Sequence, residues 1–306
     1  MPRAPRPIGR RRVLPFQPVK TSPRAAVPAG PATARRRPFG TLREGIHDVA
    51  SRRRLIRFLV AADLKRTHAD TLVGRAWWIL DPLMQMAIYW VLFALIFQRN
   101  IPDFALFLFA AILPWKWLAS TLGDASSSIS SRVALVRQVQ FPKLVLPAAS
   151  VGAGITGFGF GLIALAFFLI PYHDRISPWL LTLPLIAAVQ AVFIFALAIG
   201  VSALNAFYRD VGNLLGHALR LWFYMSPGLY SLDSLPQGPV RTILSLNPMA
   251  PILDSYRRII WGTEQVPHGV APDFAALGVV LVVSLLLLAL AIVGFKRAEP
   301  AFARIL

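Results

Sequence analysis

Residues 274–295 read FAALGVVLVVSLLLLALAIVGF, twenty-two positions in a row without a charged side chain. As a helix rising 1.5 Å per residue, such a run crosses the roughly 30 Å hydrocarbon core of a bilayer. A helix on the surface of a soluble domain would show a polar stripe, and this one has none. The whole chain agrees with its last apolar run: of 306 residues, 56% are hydrophobic and 15% charged, where an average soluble domain carries about 25% charged residues. Apolar surface in that excess must face lipid. The absence of cysteine excludes disulfides and thiolate metal or nucleophile sites.

Five further apolar runs precede the last one: Leu83 to Gln98, Phe104 to Leu122, Leu146 to Ile170, Trp179 to Phe207 and Leu214 to Tyr230. Six spans make an all-α integral membrane protein with short loops and no room for a second large domain. Lys116 interrupts the second span and Arg220 the fifth. Two readings fit these cations, snorkelling to an interface or facing a polar conduit. Orientation follows from the loops. Segments 44–82, 123–146, 204–220 and 296–306 hold fifteen Lys and Arg residues, and the alternate segments 99–103, 171–178 and 231–273 hold five. The basic side is the cytoplasmic one, so an even number of spans places both termini there.

The formal net charge is +18, concentrated near the N-terminus. Residues 1–45 are rich in Arg, Pro and Ala without apolar periodicity and read as a disordered cytoplasmic tail. Arg10, Arg11 and Arg12 are not followed by the apolar run of an export signal, and Pro2, Pro5, Pro7, Pro15 and Pro18 oppose the helix of a transit peptide. With only Phe16 and Phe39 as aromatics, the tail does not read as a nucleic-acid-binding arm. Residues 46–70 read as an amphipathic helix lying at the membrane interface, with Leu55, Phe58, Leu59 and Ala62 on one face and Arg53, Arg54 and Arg57 elsewhere. Residues 71–306 form the six-span domain. A second short segment, SSRVALVRQVQFP at 130–142, is too brief to be stable alone and is expected to dock onto a partner.

Chemistry-bearing patterns are scarce. None of the five lysines (Lys20, Lys65, Lys116, Lys143, Lys296) follows a glycine, so a phosphate-cradling GxxxxGK[ST] loop is absent. His47, His68, His173, His217 and His268 lack zinc-ligand spacing. The chain is therefore expected not to be an enzyme, with no catalytic, cofactor or metal residues. In the third span, Ala149, Ala153, Gly157 and Gly161 recur every fourth residue, a face that lets another helix approach closely; Gly157→Leu is expected to disrupt assembly.

Several short patterns occur together and in order: Thr71-Leu72-Val73-Gly74-Arg75-Ala76-Trp77 with Asp81-Pro82-Leu83, Leu113-Pro114-Trp115, Leu135-Val136-Arg137, Phe141-Pro142-Lys143 with Pro147, Tyr208-Arg209-Asp210-Val211, Ser226-Pro227 with Tyr230, Asn247-Pro248-Met249 and Tyr256-Arg257. In this order over residues 46–295 the chain resembles the ABC-2 type polysaccharide export permeases, the membrane subunits of O-antigen, capsule, teichoic acid and galactan exporters.

The resemblance implies an ABC-2 permease fold, a homodimer in the bacterial cytoplasmic (inner) membrane, and an ABC ATPase dimer bound to the cytoplasmic face. The ATP and Mg would reside in that partner. The cargo would be a lipid-linked glycan. Leu135, Val136, Arg137, Phe141 and Pro142 would couple to the ATPase, with Arg209 and Asp210 as a second contact or a local helix-end pair. Tyr89, Trp90, Phe93, Lys116 and Arg220 are candidates for the translocation path, and Ala153, Gly157 and Gly161 for helix packing. Two other functions compete: an ABC-2 permease for another lipid or drug, and a membrane-embedded transferase acting on a polyprenyl carrier, which would need acids or histidines clustered at one membrane face.

Overall fold

The computed structural model describes residues 38–67, 73–96, 103–231, 236–263, 266 and 268–305. Residues 1–37 lie outside these, as do Thr71, Leu72 and Gln98. The described part is helical and builds one unit around a single central helix. Eleven helices are described: α1 Pro38–Ser51, α2 Arg53–Thr67, α3 Trp77–Trp90, α4 Phe104–Ser127, α5 Val133–Gln138, α6 Val145–Phe168, α7 Leu183–Phe207, α8 Val211–Met225, α9 Pro239–Ser245, α10 Met249–Ile260 and α11 Phe274–Ile305.

Among the described residues four helical segments are long and apolar enough to cross a membrane: Phe104–Ser127, Val145–Phe168, Pro178–Phe207 and Phe274–Phe302. The other two expected spans come out differently. The first begins at Trp77 rather than Leu83, because Pro82 is accommodated inside α3, and it continues as a π-helical stretch over Val91–Ile96. The fifth is α8, only 15 residues long, or about 22 Å at 1.5 Å per residue. It stops where Ser226 turns extended ahead of Pro227, as the residue before a proline is driven out of the helical region.

The centre is α4, 17 of whose 24 residues are buried. It touches α3, α6, α7, α8 and α10. Trp117 stacks on Phe158 of α6 at 4.3 Å between ring centroids, and Trp115 meets Trp222 and Phe223 of α8 at 5.6 and 5.3 Å. Pro114 sits inside α4, and its carbonyl accepts a hydrogen bond from Gln190 Nε2 of α7 at 2.8 Å. Outside this centre, α11 packs along α7 and leaves Val279, Val282, Leu286 and Leu290 exposed on its other face, as a lipid-facing helix does.

Small residues let α6 sit against α4, although the tightest positions differ from the expected stripe. A side chain at Gly157 would meet only the Trp78 indole at 3.9 Å, an ordinary contact. At Gly161 a Cβ would strike the Leu113 side chain, and at Gly154 it would strike the Thr121 hydroxyl, with Thr121 Cβ at 3.1 Å. Gly154 and Gly161 are seven residues apart and so share one face of α6, and α4 meets that face at both.

The N-terminal region also differs in detail. The helix starts at Pro38, inside the segment assigned to the tail, and it breaks into α1 and α2 at Arg52. In α2 the buried side is built from Leu55, Ile56, Leu59 and Val60, which pack with Leu144, Val145 and Ala149. Phe58 points outward and is 70% exposed, and Ala62 is exposed too. The sequence pattern merged two apolar sides, one for protein and one carrying Phe58.

At the end of the bundle away from α1 and α2, two buried arginines organise the loops. Arg175 donates to Asp103, at the start of α4, and to the Trp261 carbonyl at 2.8 Å. Arg257 donates to the carbonyls of Tyr230 and Gly228 at 2.8 and 2.6 Å and lies 3.9 Å from the Phe107 ring centroid. Burial pushes the Arg257 pKa down to about 9, with Asp254 opposing the shift.

Gly154→Val forces overpacking against Thr121, a cost of about 1 to 3 kcal/mol. The detergent-solubilised protein should therefore melt at least about 2 °C lower. Gly159→Ala, where a Cβ would meet nothing within 4 Å, should leave the melting temperature unchanged.

Candidate functional site

Two places bring together residues that the sequence singled out. The first is the segment between α4 and α6, at the end of the bundle where α1, α2 and the C-terminal part of α11 also lie. A 3-10 turn over Ser130–Arg132 leads into the six-residue α5, and the chain returns through Phe141 and Pro142 to α6. A helix this short has no stability of its own. Its neighbours hold it. Val136 is 2% exposed and packs with Ile129, Leu144, Phe295 and Phe302, while Leu135 and Phe141 are half-buried on the same cluster.

Polar contacts clamp the segment at both ends. At its beginning, Arg132 pairs with Asp63 of α2 and donates to the Ser128 carbonyl at 3.2 Å. At its end, the Lys143 backbone N–H donates to Glu299 of α11 at 2.5 Å. Glu299 in turn pairs with Lys296 at 2.9 Å, and Lys296 reaches Asp48 of α1 at 2.7 Å. Lys296 is only 9% exposed in its side chain, so these bonds operate where water competes little.

The tip remains outside this clamp. Arg137, Gln138, Val139 and Gln140 are exposed, Val139 at 47%. Sequence reasoning did not single out Val139; its signal is an apolar residue between two glutamines in a segment otherwise anchored through Val136. Arg209 and Asp210 sit in the turn between α7 and α8, both exposed, and their side chains form no ion pair among the described residues. Beside that turn Asn205 ties three helices: its Nδ2 donates to the Ser126 carbonyl of α4, and its Oδ1 accepts from the Gly212 N–H of α8, each at 2.8 Å.

The second place is a cavity of about 560 Å³ between α3, α4 and α8, within the size range of pockets that hold small organic groups. Of the five path candidates it gathers three, Tyr89, Lys116 and Arg220, and Trp115 and Tyr224 join them. Trp90 and Phe93 are not among its lining residues: Trp90 is 41% exposed, and Phe93 stands edge-on to Phe104 at 5.9 Å. Lys116 Nζ lies 3.4 Å from Asp81 of α3. Tyr224 and Arg220 are exposed, as are Leu221 and Met225 beside them. Gly123, Gly212 and Gly216 also line the cavity, where the lack of side chains keeps it wide. Among the described residues no group of three or more His, Cys, Asp or Glu side chains could hold a metal ion.

Comparison with known proteins yields one family and a consistent set of relatives. Residues 54–261 match the family described as ABC-2 type transporter. The chain is similar to the O-antigen export system permease protein RfbA of Myxococcus xanthus, 30% identical over 259 residues that cover 84% of this chain and 97% of that one. It is similar also to an O-antigen export system permease protein RfbA of Klebsiella pneumoniae, 29% identical over 245 residues, 80% of this chain and 92% of that one. A second Klebsiella pneumoniae protein of the same name is 31% identical over 196 residues, 64% of this chain and 75% of that one.

If the clamp is a unit, Asp63→Asn and Arg132→Gln should not destabilise the protein additively. A double-mutant cycle read from unfolding is expected to give a coupling energy of about 1 kcal/mol or more; additive effects would mean the pair contributes nothing to holding α5.

Proposed function

The chain belongs to the ABC-2 type transporter family, and from that premise we propose that it is the membrane subunit of an ATP-driven exporter of a lipid-linked polysaccharide. The observation that carries the reading is the clamped segment 130–143, whose base is anchored through buried Val136 and whose tip is exposed. A segment held so firmly with an exposed tip is suited to receive a push from a partner. The relatives named as O-antigen export permeases support a glycan as the cargo.

In this reading the chain crosses the bilayer six times, α3 and α8 completing the set with four longer spans. The Arg- and Lys-rich end faces the cytoplasm, and both termini lie there, in a bacterial inner membrane. Helix α2 lies at the interface with Phe58 dipping into the acyl region. Two copies pair across the exposed faces of α3 and α8, so that the two cavities meet as one path. An ATPase dimer docks below, holding ATP and Mg and performing all hydrolysis.

The geometry then links the two sites. When the ATPase subunits close, they press on Arg137 to Gln140. Because Arg132 is tied to α2, Lys143 to α11 and Asn205 to both α4 and α8, the displacement passes to the helices that form the cavity wall. Within the cavity, Trp115, Tyr89 and Tyr224 offer flat faces and hydroxyls to a sugar chain, with few deep binding minima to halt it. Arg209 and Asp210, exposed beside the Asn205 tie, form a second contact with the ATPase.

The test uses exposed positions, so that folding is spared. Gln138→Glu combined with Val139→Asp should reduce co-purification with the ATPase and abolish coupled ATP hydrolysis, with affinity falling by about tenfold or more, while the melting temperature stays at the wild-type value. A complex of undiminished affinity and turnover would contradict the coupling role of this segment.

A further inference from the structure

The cavity between α3, α4 and α8 carries two cations on its wall, Lys116 and Arg220, and no carboxylate lines it among the described residues. Lys116 lies at the middle of α4, Phe104–Ser127, about 17 Å of helix from either end at 1.5 Å per residue. A cation at that depth is disfavoured unless it faces a polar space or meets an anion. Its partner Asp81 is 3.4 Å away and the two side chains are 36% and 53% exposed, a long contact that an incoming anion can replace. Arg220 forms no ion pair among the described residues, and its exposure leaves its fork of donors open.

The rest of the wall suits the same ligand. Tyr89, Tyr224 and Gln85 place hydroxyl and amide groups on it, able to complete the hydrogen bonds of an oxyanion. A neutral sugar chain would leave Arg220 without a counter-charge and Lys116 with only its long contact to Asp81. A phosphate or carboxylate would compensate both, Arg220 binding two oxygens at once and Lys116 acting as a point charge. We propose that Lys116 and Arg220 form a transient binding site for an anionic group, phosphate or carboxylate, borne by the cargo as it moves through the cavity. This rests on the exporter reading of that cavity and names the chemistry its cargo must carry. Such a group has two sources: the diphosphate that joins a glycan to its lipid carrier, or acidic units repeated along the polymer.

The experiment takes the full chain with its ATPase in lipid nanodiscs and follows tryptophan fluorescence, since Trp115 lines the cavity. The probes are inorganic diphosphate, a short-chain prenyl diphosphate, an oligogalacturonate and a neutral oligomannoside. The anionic probes should bind more tightly than the mannoside. Arg220→Gln and Lys116→Gln should each weaken them by about tenfold, and Arg220→Lys should restore part of the loss. Binding of the two diphosphates alone assigns the site to the carrier; binding of the oligogalacturonate assigns it to the polymer; both results support an anion site. Anions that bind no better than the mannoside, or binding untouched by both glutamine variants, would overturn it. If those same glutamine variants also export glycan at the wild-type rate in cells, the anion site is lost while the exporter reading stands. A chain with no ATPase partner would remove the exporter reading separately.

Discussion

The six-residue helix α5 cannot persist by itself, and the rest of the molecule is arranged to hold it. Asp63 grips Arg132 at one end, and Glu299 grips the Lys143 backbone at the other. Behind Glu299 stands Lys296 with Asp48, so one chain of contacts joins α1, α11 and the segment. Breaking a largely buried ion pair leaves a charge without compensation, which is worse than never having had the pair. The network therefore works as a rigid mount, with Val136 as its apolar anchor and Val139 as the part left in the open.

The mount gains a use because α4 is both its neighbour and the core of the bundle. The same helix that ends at Ser127, shortly before Arg132, carries Trp115 and Lys116 on the cavity wall. Asn205 ties the lower part of α4 to the start of α8, which carries Arg220. A displacement of the mount cannot stay local, since close-packed interiors transmit strain. At the far end Arg175 and Arg257 fix the loops.

Much of this architecture is legible in the sequence, because lipid demands long uncharged runs and they are easily seen. Where lipid is not the only constraint, the reading slips. The fifth apolar run gives a helix shorter than itself because Pro227 ends it, and the first gives a helix that starts earlier because Pro82 does not end it. Phe58 shares helical spacing with Leu55 and Leu59, and spacing alone cannot tell the side that packs on protein from the exposed side that carries Phe58. Gly154 escaped the small-residue stripe because steps of four drift round the helix, off the i, i+7 face that Gly154 shares with Gly161. Asp63 and Arg132, 69 positions apart, share no local pattern at all. Lys116 and Arg220 stood out individually as cations in apolar runs; their meeting in one cavity required the fold.

In the proposed orientation the exposed tip at Val139 faces the cytoplasm, on the opposite side of the membrane from the loop that carries Asp174. Because the chain has no cysteine, single-cysteine variants Val139→Cys and Asp174→Cys, both at exposed positions, can be labelled with a membrane-impermeant thiol reagent. In intact spheroplasts only the cysteine at 174 should react, and in inside-out vesicles only that at 139. Labelling of both positions from the same side, or the reverse assignment, would contradict the account.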